Sequence, residues 1–447
     1  MTTPPDPIEL AADLVARASR AGADAADAVC FHGASLSVNW RLGALEELQR
    51  AEGLDMGLRV FIGGRQANVS TTDPTPANLD RLVERAVAMA QIAPEDDLAG
   101  LAPEDLLTRE IPDLDLDAND EPEPQRLIDM AAECEDAARA VEGITNSEGA
   151  EAGWQRSTAA LAASNGFAGA WTGTSASVGT AVIAGEGLLM ERDGDHRSVR
   201  HLADMPSAAE IGAEAARRAV RKLNPSKLPT RPMPVIYDAR TARSLLGHIC
   251  EAISGPSVAR GTSFLKKSMG AQIFAPGLTV VEDPHRLRGL RSRPFDGEGL
   301  ATHRRNLIDD GHLTSWLLDL RSARQLKLEP TGHATRGASG PPSPSVSNLW
   351  LEAGSASPQE LMADIEDGLY ITFLIGFGVN GVTGDYSRGA GGFRIRNGEL
   401  TNPVSEITVA GNLKAMFAAM RPANDLEFLF GTDSPTVRID GMTVAGT

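Results

Sequence analysis

Cysteine is scarce in this chain. Cys30, Cys134 and Cys250 are the only three in 447 residues. They lie far apart, and no CxxC spacing occurs, so neither a disulfide framework nor a zinc ribbon is indicated. A reducing cytoplasm fits that usage. No stretch approaches the roughly 18 apolar residues of a membrane-spanning helix. The opening MTTPPDPIELAADL carries neither the basic nor the apolar segment of a secretory signal, and the expected location is the cytoplasm. Aromatic residues make up only 4%, so Ala, Leu and Val must fill the interior. Positive charge is also short. Lys and Arg number 42 against 60 Asp and Glu, a net charge of −18. No basic stripe of the kind that binds nucleic acid is present. The small cluster His303, Arg304, Arg305 reads as solvated surface.

What is there is enough for two or three domains and a large core. Apolar residues at helical spacing predict a helix over Ile8–Ala21, with Asp6 as cap and Pro7 at its first position. Similar patterns predict helices over Pro76–Gln91, Gln125–Val141 and Pro206–Leu223. Strand-like runs are Val29–Trp40, a hairpin over Leu54–Ser70 turning at Gly63-Gly64, then Ile144–Ser147, Trp154–Ser164 and Phe167–Gly185, with Asn165-Gly166 as a hairpin turn. The acidic segment Pro94–Pro124 reads as meandering surface; its DLDLDAND lacks the glycine turn and terminal Glu of an EF-hand Ca²⁺ loop. Asn224–Pro234 holds four prolines and marks the domain boundary. Beyond it come a strand at Val235–Tyr237, a helix at Arg240–Ser254, hairpin turns at Asp310-Gly311, Asn397-Gly398 and Asp440-Gly441, a loop over Gly332–Ser347, and a helix at Pro358–Tyr370. The expected fold class is α+β. An N-terminal domain, residues 1–225, packs helices on a mostly antiparallel sheet. A β-rich C-terminal domain, residues 234–447, forms a twisted sheet or partial barrel.

The most unusual stretch is the glycine-dense Gly376–Asn412, GFGVNGVTGDYSRGAGGFRIRNGELTNPVSEITVAGN. Such density means unusual dihedrals or close approach to the backbone. A phosphate loop would need Lys after the glycines, and a dinucleotide fingerprint would need a following helix; the letters GFGVNG lead into a hairpin instead. No GxSxG exists, and Ser387 has no sequence-adjacent His. The eight histidines form no HxH, HExxH or HxxEH. His248 and Glu251 share a helix face at i, i+3, which is two ligands where zinc wants three. Gly384, Asp385, Tyr386, Ser387, Arg388 and Gly389 remain as candidates for a substrate channel or subunit contact. There an extended peptide could pair with the backbone. The plainer alternative is that the glycines let strands bend.

Three stretches carry a family resemblance: SLLGHICEAISGPSVARGTSFLKKSM at Ser244–Met269, GDYSRGAGGFRIRNGEL, and the ending TVRIDGMTVAGT. With RLGALEELQRAEGLDMGLRVFIGGRQANVSTTD near the start, the chain resembles the TldD/PmbA (TldE) modulator-of-gyrase family, on its PmbA/TldE branch. The TldD branch consists of metallopeptidases whose zinc is held by a helical HExxxH and a Cys near the C-terminus. Matching that branch on Arg260–Ser263 puts Leu246 and Gly247 where the first His and the Glu would stand, and Glu251 where the second His would stand. The final thirty residues contain no Cys. The resemblance therefore implies no catalytic residue, metal or cofactor in this chain. Zinc is expected only in a TldD-type partner, within a heterodimer that encloses the active site and acts on unfolded or extended peptides. In the family such complexes trim a microcin precursor and degrade an unfolded antitoxin. Three alternatives stay open. One is an independent homodimeric hydrolase or ligand-binding protein using His248/Glu251 or the Asp385-Tyr386-Arg388 cluster. Another is a weak metal site at His248/Glu251. The third is direct modulation of gyrase through a protein contact rather than through DNA.

Overall fold

The structure is a computed structural model and describes residues 6–446. Its first half is built on six antiparallel strands: β1 (Ala25–Arg41), β2 (Ala44–Ile62), β3 (Arg65–Thr71), β4 (Ile144–Ala163), β5 (Ala168–Ala184) and β6 (Glu191–Val199), in the order β3-β2-β1-β4-β5-β6. The β2–β3 turn uses Gly63 and Gly64 at positive φ, as the sequence indicates. Two expected strands, Ile144–Ser147 and Trp154–Ser164, are one 20-residue strand, β4, which carries bulges near Ile144 and Ser147. The turn Leu42-Gly43, both at positive φ, joins β1 to a stretch of β2 whose first ten residues are all exposed. That arm has solvent on both faces, so it lacks the apolar alternation by which a strand is read. Strand β6 likewise went unmarked.

Helices α1 (Pro7–Arg20), α2 (Pro76–Ile92), α3 (Pro124–Arg139) and α4 (Ala208–Arg221) cover one face of this sheet. Asp6 accepts from Ile8 N at 3.0 Å and caps α1. Its Leu10, Leu14 and Ala18 meet Ala28, Cys30 and Leu58 of the sheet. Gly212 of α4 lies against the Cys134 carbonyl of α3, where a Cβ would sit 1.9 Å from the oxygen. The acidic segment between α2 and α3 is more than surface. Leu114 and Leu116 are buried, and Asp117 pairs with Arg156 at 2.7 Å. On the opposite sheet face, Val29 and Leu161 pack on Phe167 and Phe295. The rest of that face is open around a cavity of about 780 Å³ bounded by Asn39, Glu151, Ser177, Gly179 and His196.

After α4 the chain enters a closed barrel. Its strands and inserts are β7 (Arg231–Tyr237), α5 (Ala239–Ala252), α6 (Gly255–Ala259), β8 (Val280–Asp283), β9 (Arg305–Asp309), β10 (His312–Leu313), α7 (Leu320–Leu326), β11 (Ala334–Thr335), β12 (Ser343–Pro344), β13 (Asn348–Leu351), α8 (Pro358–Met362), β14 (Asp367–Ile375), β15 (Asp385–Arg396), β16 (Glu399–Asn412), α9 (Leu413–Ala418), β17 (Met420–Pro422), β18 (Thr432–Asp433) and β19 (Val437–Ala445). The order β16-β15-β14-β7-β19 closes on itself because β19 pairs back to β16, and β17 adds at β19. A smaller sheet, β10-β9-β8-β13-β18, lies alongside. The mixed α+β class and β-rich C-terminal half stand, with the barrel complete rather than partial. Leu228, in the proline-rich linker, is already buried in the barrel core.

Two expectations fail in this half. The helix expected over Pro358–Tyr370 stops at Met362. Leu361, Ile365 and Leu369 have helical spacing, but Leu369 belongs to β14, a buried strand held between β7 and β15. Asp440-Gly441 makes no hairpin. It is a bulge inside β19, where the register against β7 shifts between Ile439 and Met442 and Gly441 takes φ +81°.

Candidate functional site

The site is organised by α5. Asp238 caps it, accepting from Thr241 N at 2.7 Å. Its apolar face, Leu245, Leu246, Ile249 and Ala252, enters the barrel core with Tyr237 and Tyr386. Its other face carries Arg240, Arg243, Ser244, Gly247, His248 and Glu251, which repeat every three to four residues along about 16 Å of helix. Leu246 is fully buried. A Cβ on Gly247 would meet open space, and Glu251 is exposed.

Strand alternation divides the glycine-run candidates. Tyr386 points inward, 1% exposed, its hydroxyl 3.4 Å from that of Tyr237. Burial raises both phenols, Tyr237 well above its ordinary value, so neither ionises near neutrality. Arg388 follows Tyr386 on the same face, with a buried Nε that has no partner. The His248 ring meets Tyr386 edge-on at 5.9 Å. Both nitrogens of His248 lack partners among the described residues. Burial, and then the charge of Arg388, push its pKa down to about 4, so the imidazole is neutral at pH 7. Asp385 and Ser387 face away into solvent. Asp385 accepts from Thr383 Oγ1 at 2.6 Å and Asn412 Nδ2 at 3.0 Å, bonds that hold its pKa below the usual carboxylate value. The structure thus groups Tyr386 and Arg388 with His248 and separates Asp385 from them. Gly384 is at φ +84°, and Gly389 pairs with Thr408 on one side and Ile375 on the other. Because Gly389–Arg396 lies between β14 and β16, its backbone is committed to the barrel rather than free to pair with a peptide. The glycines serve close strand packing; a Cβ at Gly392 would sit 1.9 Å from Tyr370 O.

Sequence reasoning singled out Arg388 but missed Tyr237 and the other arginines above the N-terminal half of the α5 face. Arg240, Arg243, Arg291 and Arg388, with Ser244 and Thr432, wall a cavity of about 490 Å³. For Arg240 and Arg243 the sequence signal was the ARTARS run at the start of α5.

The family models agree with this architecture. The first, central and C-terminal domains of the PmbA/TldA metallopeptidases match residues 26–90, 117–223 and 230–446 respectively. A metalloprotease PmbA of Escherichia coli O157:H7 is 38% identical over 425 residues, covering 95% of this chain and 92% of the relative. The chain belongs to the PmbA/TldD metallopeptidase family. A PmbA homologue of Haemophilus influenzae is 34% identical, covering 96% and 94%. Among solved structures, a proposed modulator of DNA gyrase from Bacteroides thetaiotaomicron superposes with a TM-score of 0.90 at 28% identity over 98% of both chains. TldE of Thermococcus kodakarensis shares the fold, TM-score 0.85 at 19% identity, covering 98% of this chain and 100% of that one.

Set against the zinc pattern that the family resemblance implies, the α5 residues do not fit a metal. Leu246, at the position that resemblance gives the first ligand, is packed in the core. Gly247, at the position it gives the general base, has no side chain. Among the described residues no three His, Cys, Asp or Glu side chains converge. Cys250, on the same helix, has its thiol pushed up to about 12 by burial, so it offers no thiolate at neutral pH. No helix among the described residues is long and apolar enough to cross a membrane.

Proposed function

We propose that this chain is the non-catalytic, TldE-type subunit of a cytoplasmic metallopeptidase complex that processes or degrades unfolded peptides. Its TldD-type partner supplies the zinc. One observation carries the reading. At the helix where the catalytic branch holds its metal, Leu246 is core and Gly247 is bare. The rest of that helix face is nevertheless open and lined with polar groups. A chain built this way shapes the space next to a partner's metal without performing the hydrolysis.

The test is reconstitution. The purified chain is assayed on an unfolded polypeptide alone and with a TldD-type chain, and metal content is measured in parallel. Activity appearing only in the mixture, with zinc following the partner, supports the reading. Peptide hydrolysis by the pure chain together with stoichiometric zinc sinks it. A second reading, an independent homodimeric hydrolase or ligand-binding protein, draws on the neutral, partnerless His248 beside Glu251. It requires zinc in the pure chain that Glu251→Ala removes.

A further inference from the structure

In a chain of net charge −18, four arginines wall one cavity, and no carboxylate is among its lining residues. Their pairing differs from that of arginines elsewhere. Arg240 lies 3.5 Å from Asp193 and 3.6 Å from Asp238 and is matched in charge. Arg291 spends its donors on Thr432 Oγ1, Ser345 Oγ and Val346 O, all neutral acceptors. Arg243 has no hydrogen bond or ion pair among the described residues. Its guanidinium stacks 4.0 Å over the Phe430 ring. Among acids, Asp433 and then Asp238 pull most on its charge without pairing with it, and Asp433 Oδ1 is taken up by Leu429 N and Phe430 N at 3.0 and 2.9 Å. Arg388 keeps a buried Nε without partner and has no ion pair among the described residues. Two positive charges, those of Arg243 and Arg388, therefore converge on one space without a directly paired carboxylate among the described residues. Planar guanidiniums are the groups best suited to grip a carboxylate with two parallel hydrogen bonds.

The place of the cavity matters as much as its charge. It covers the N-terminal end of the α5 face, and Arg243 stands one helical turn before Gly247, about 6 Å along the axis. On its other side, Phe430 meets the ring of His196 at 5.3 Å. His196 also borders the large open cavity of the N-terminal sheet. A chain lying along the sheet face and continuing over α5 would cross the arginines.

We propose that this arginine-walled cavity is a carboxylate subsite that selects peptides bearing an acidic group, supplied by an Asp or Glu side chain or by a free C-terminus. The inference rests on the peptide-handling reading above and adds a specificity to it.

The probes are fluorescein-labelled octapeptides of Gly, Ser and Ala: one with a free C-terminus, one amidated, and one amidated with a single central Asp. Anisotropy is read with the full-length chain at low and at raised salt. The free-acid or Asp peptide should bind about tenfold more tightly than the neutral amide, the advantage expected of one charge-assisted contact. The free-acid and Asp arms tell the two carboxylate sources apart. Arg243→Gln should remove the advantage and leave neutral-peptide binding unchanged, while Arg243→Lys should restore part of it. Three results overturn the proposal: equal binding of charged and neutral peptides, equal loss of both in Arg243→Gln, or no binding of any probe. If Arg243→Gln instead abolishes association with a TldD-type chain while acid preference persists, the cavity seats a partner's carboxylate and the proposal also falls. Failure of the subunit reading looks different. It appears as no gain of peptidase activity in the reconstituted mixture, whatever the peptide preference.

Discussion

Two regions hold buried or half-buried arginines, and they treat them in opposite ways. At the joint between the N-terminal sheet and the C-terminal half, Asp27 of β1 lies between Arg59 of β2 and Arg336, which follows β11. The side-chain exposures of the three are 3%, 5% and 1%. Arg59 Nε donates to both Asp27 oxygens at 3.2 and 3.1 Å, and Arg336 bonds the same carboxylate. Elsewhere between the two halves, Arg324 donates to the carbonyls of Leu98, Gly100 and Leu101. Arg200 does the same for Gly289 and Leu290. In the α5 cavity, Arg243 and Arg388 make no ion pair among the described residues, and Arg243 feels Asp433 and Asp238 only at longer range. A buried guanidinium beside its counter-charge fastens two parts of the chain. Left without one, it is a binding group in waiting, because its desolvation has not been offset within the fold.

The largest effect should come from removing the shared acid at the joint. Asp27→Asn leaves two deeply buried guanidiniums without counter-charge and should cost about 3–5 kcal/mol in urea denaturation. The two guanidiniums outweigh burial and hold the Asp27 pKa below its ordinary value. A depressed pKa means a contribution present in full above the ordinary carboxylate range and lost as pH falls beneath it. The Asp27→Asn deficit should therefore be undiminished at pH 7 and shrink only in acid. A loss under about 1 kcal/mol would show the joint to be no fastener. Arg324→Ala is next. It strips three carbonyl contacts and should cost about 2 kcal/mol by the same measurement.

The joint also holds an acid of the opposite kind. Glu298 sits near Asp27's arginines, its Oε2 accepting from Leu320 N at 2.8 Å. Burial, followed by the charge of Asp296, pushes its pKa up to about 8. Below that the folded form keeps its proton while the unfolded form releases it from about pH 4.5 upward, so the group erodes stability as pH rises through that window. The slope is at most about 1.4 kcal/mol per pH unit. Glu298→Gln keeps the acceptor for Leu320 N and removes the ionisation. It should raise stability at pH 8 by about 3–4 kcal/mol relative to its effect at pH 5. A mutant whose stability runs parallel to the parent's from pH 5 to 8 would place Glu298 outside this balance.

Much of the scaffold was legible because local pattern and packing agree. The apolar stripes of α1 to α4 bury the residues their spacing marks. Gly63-Gly64 and Asn397-Gly398 turn where their positive φ is needed. The exposed arm of β2 was not legible because both its faces meet solvent, and the short α8 was not, because Leu361, Ile365 and Leu369 are all buried at helical spacing although the chain leaves the helix at Met362 and enters β14. The glycine run was conspicuous, yet its meaning lay in contacts such as Gly378 against Ser387 O, where a Cβ would stand 1.9 Å away. Only topology reveals that. The degenerate positions Leu246 and Gly247 could be picked out through the family pattern. The arginine cavity could not be, because Arg243, Arg291, Arg388 and Thr432 come from four distant parts of the chain. A helix, a loop, a barrel strand and the small sheet meet there only after the barrel closes.

The smallest effect is the one that most sharpens the contrast. Arg243→Gln should change stability by no more than about 0.5 kcal/mol. Its guanidinium has no hydrogen bond or ion pair to lose, and burial together with the charge of Arg240 already works against it, enough to lower its pKa despite the pull of Asp433. The stacking on Phe430 is worth about 0.5–1 kcal/mol when partly exposed. Relief of the desolvated charge offsets most of that, and Gln keeps much of the stem in place. Urea denaturation of Arg243→Gln beside Asp27→Asn compares the two regions directly. A cost above about 2 kcal/mol would mean that Arg243 is held by the fold as firmly as the joint arginines are. The distinction between fastener and waiting group would then fail for the residue on which it depends most.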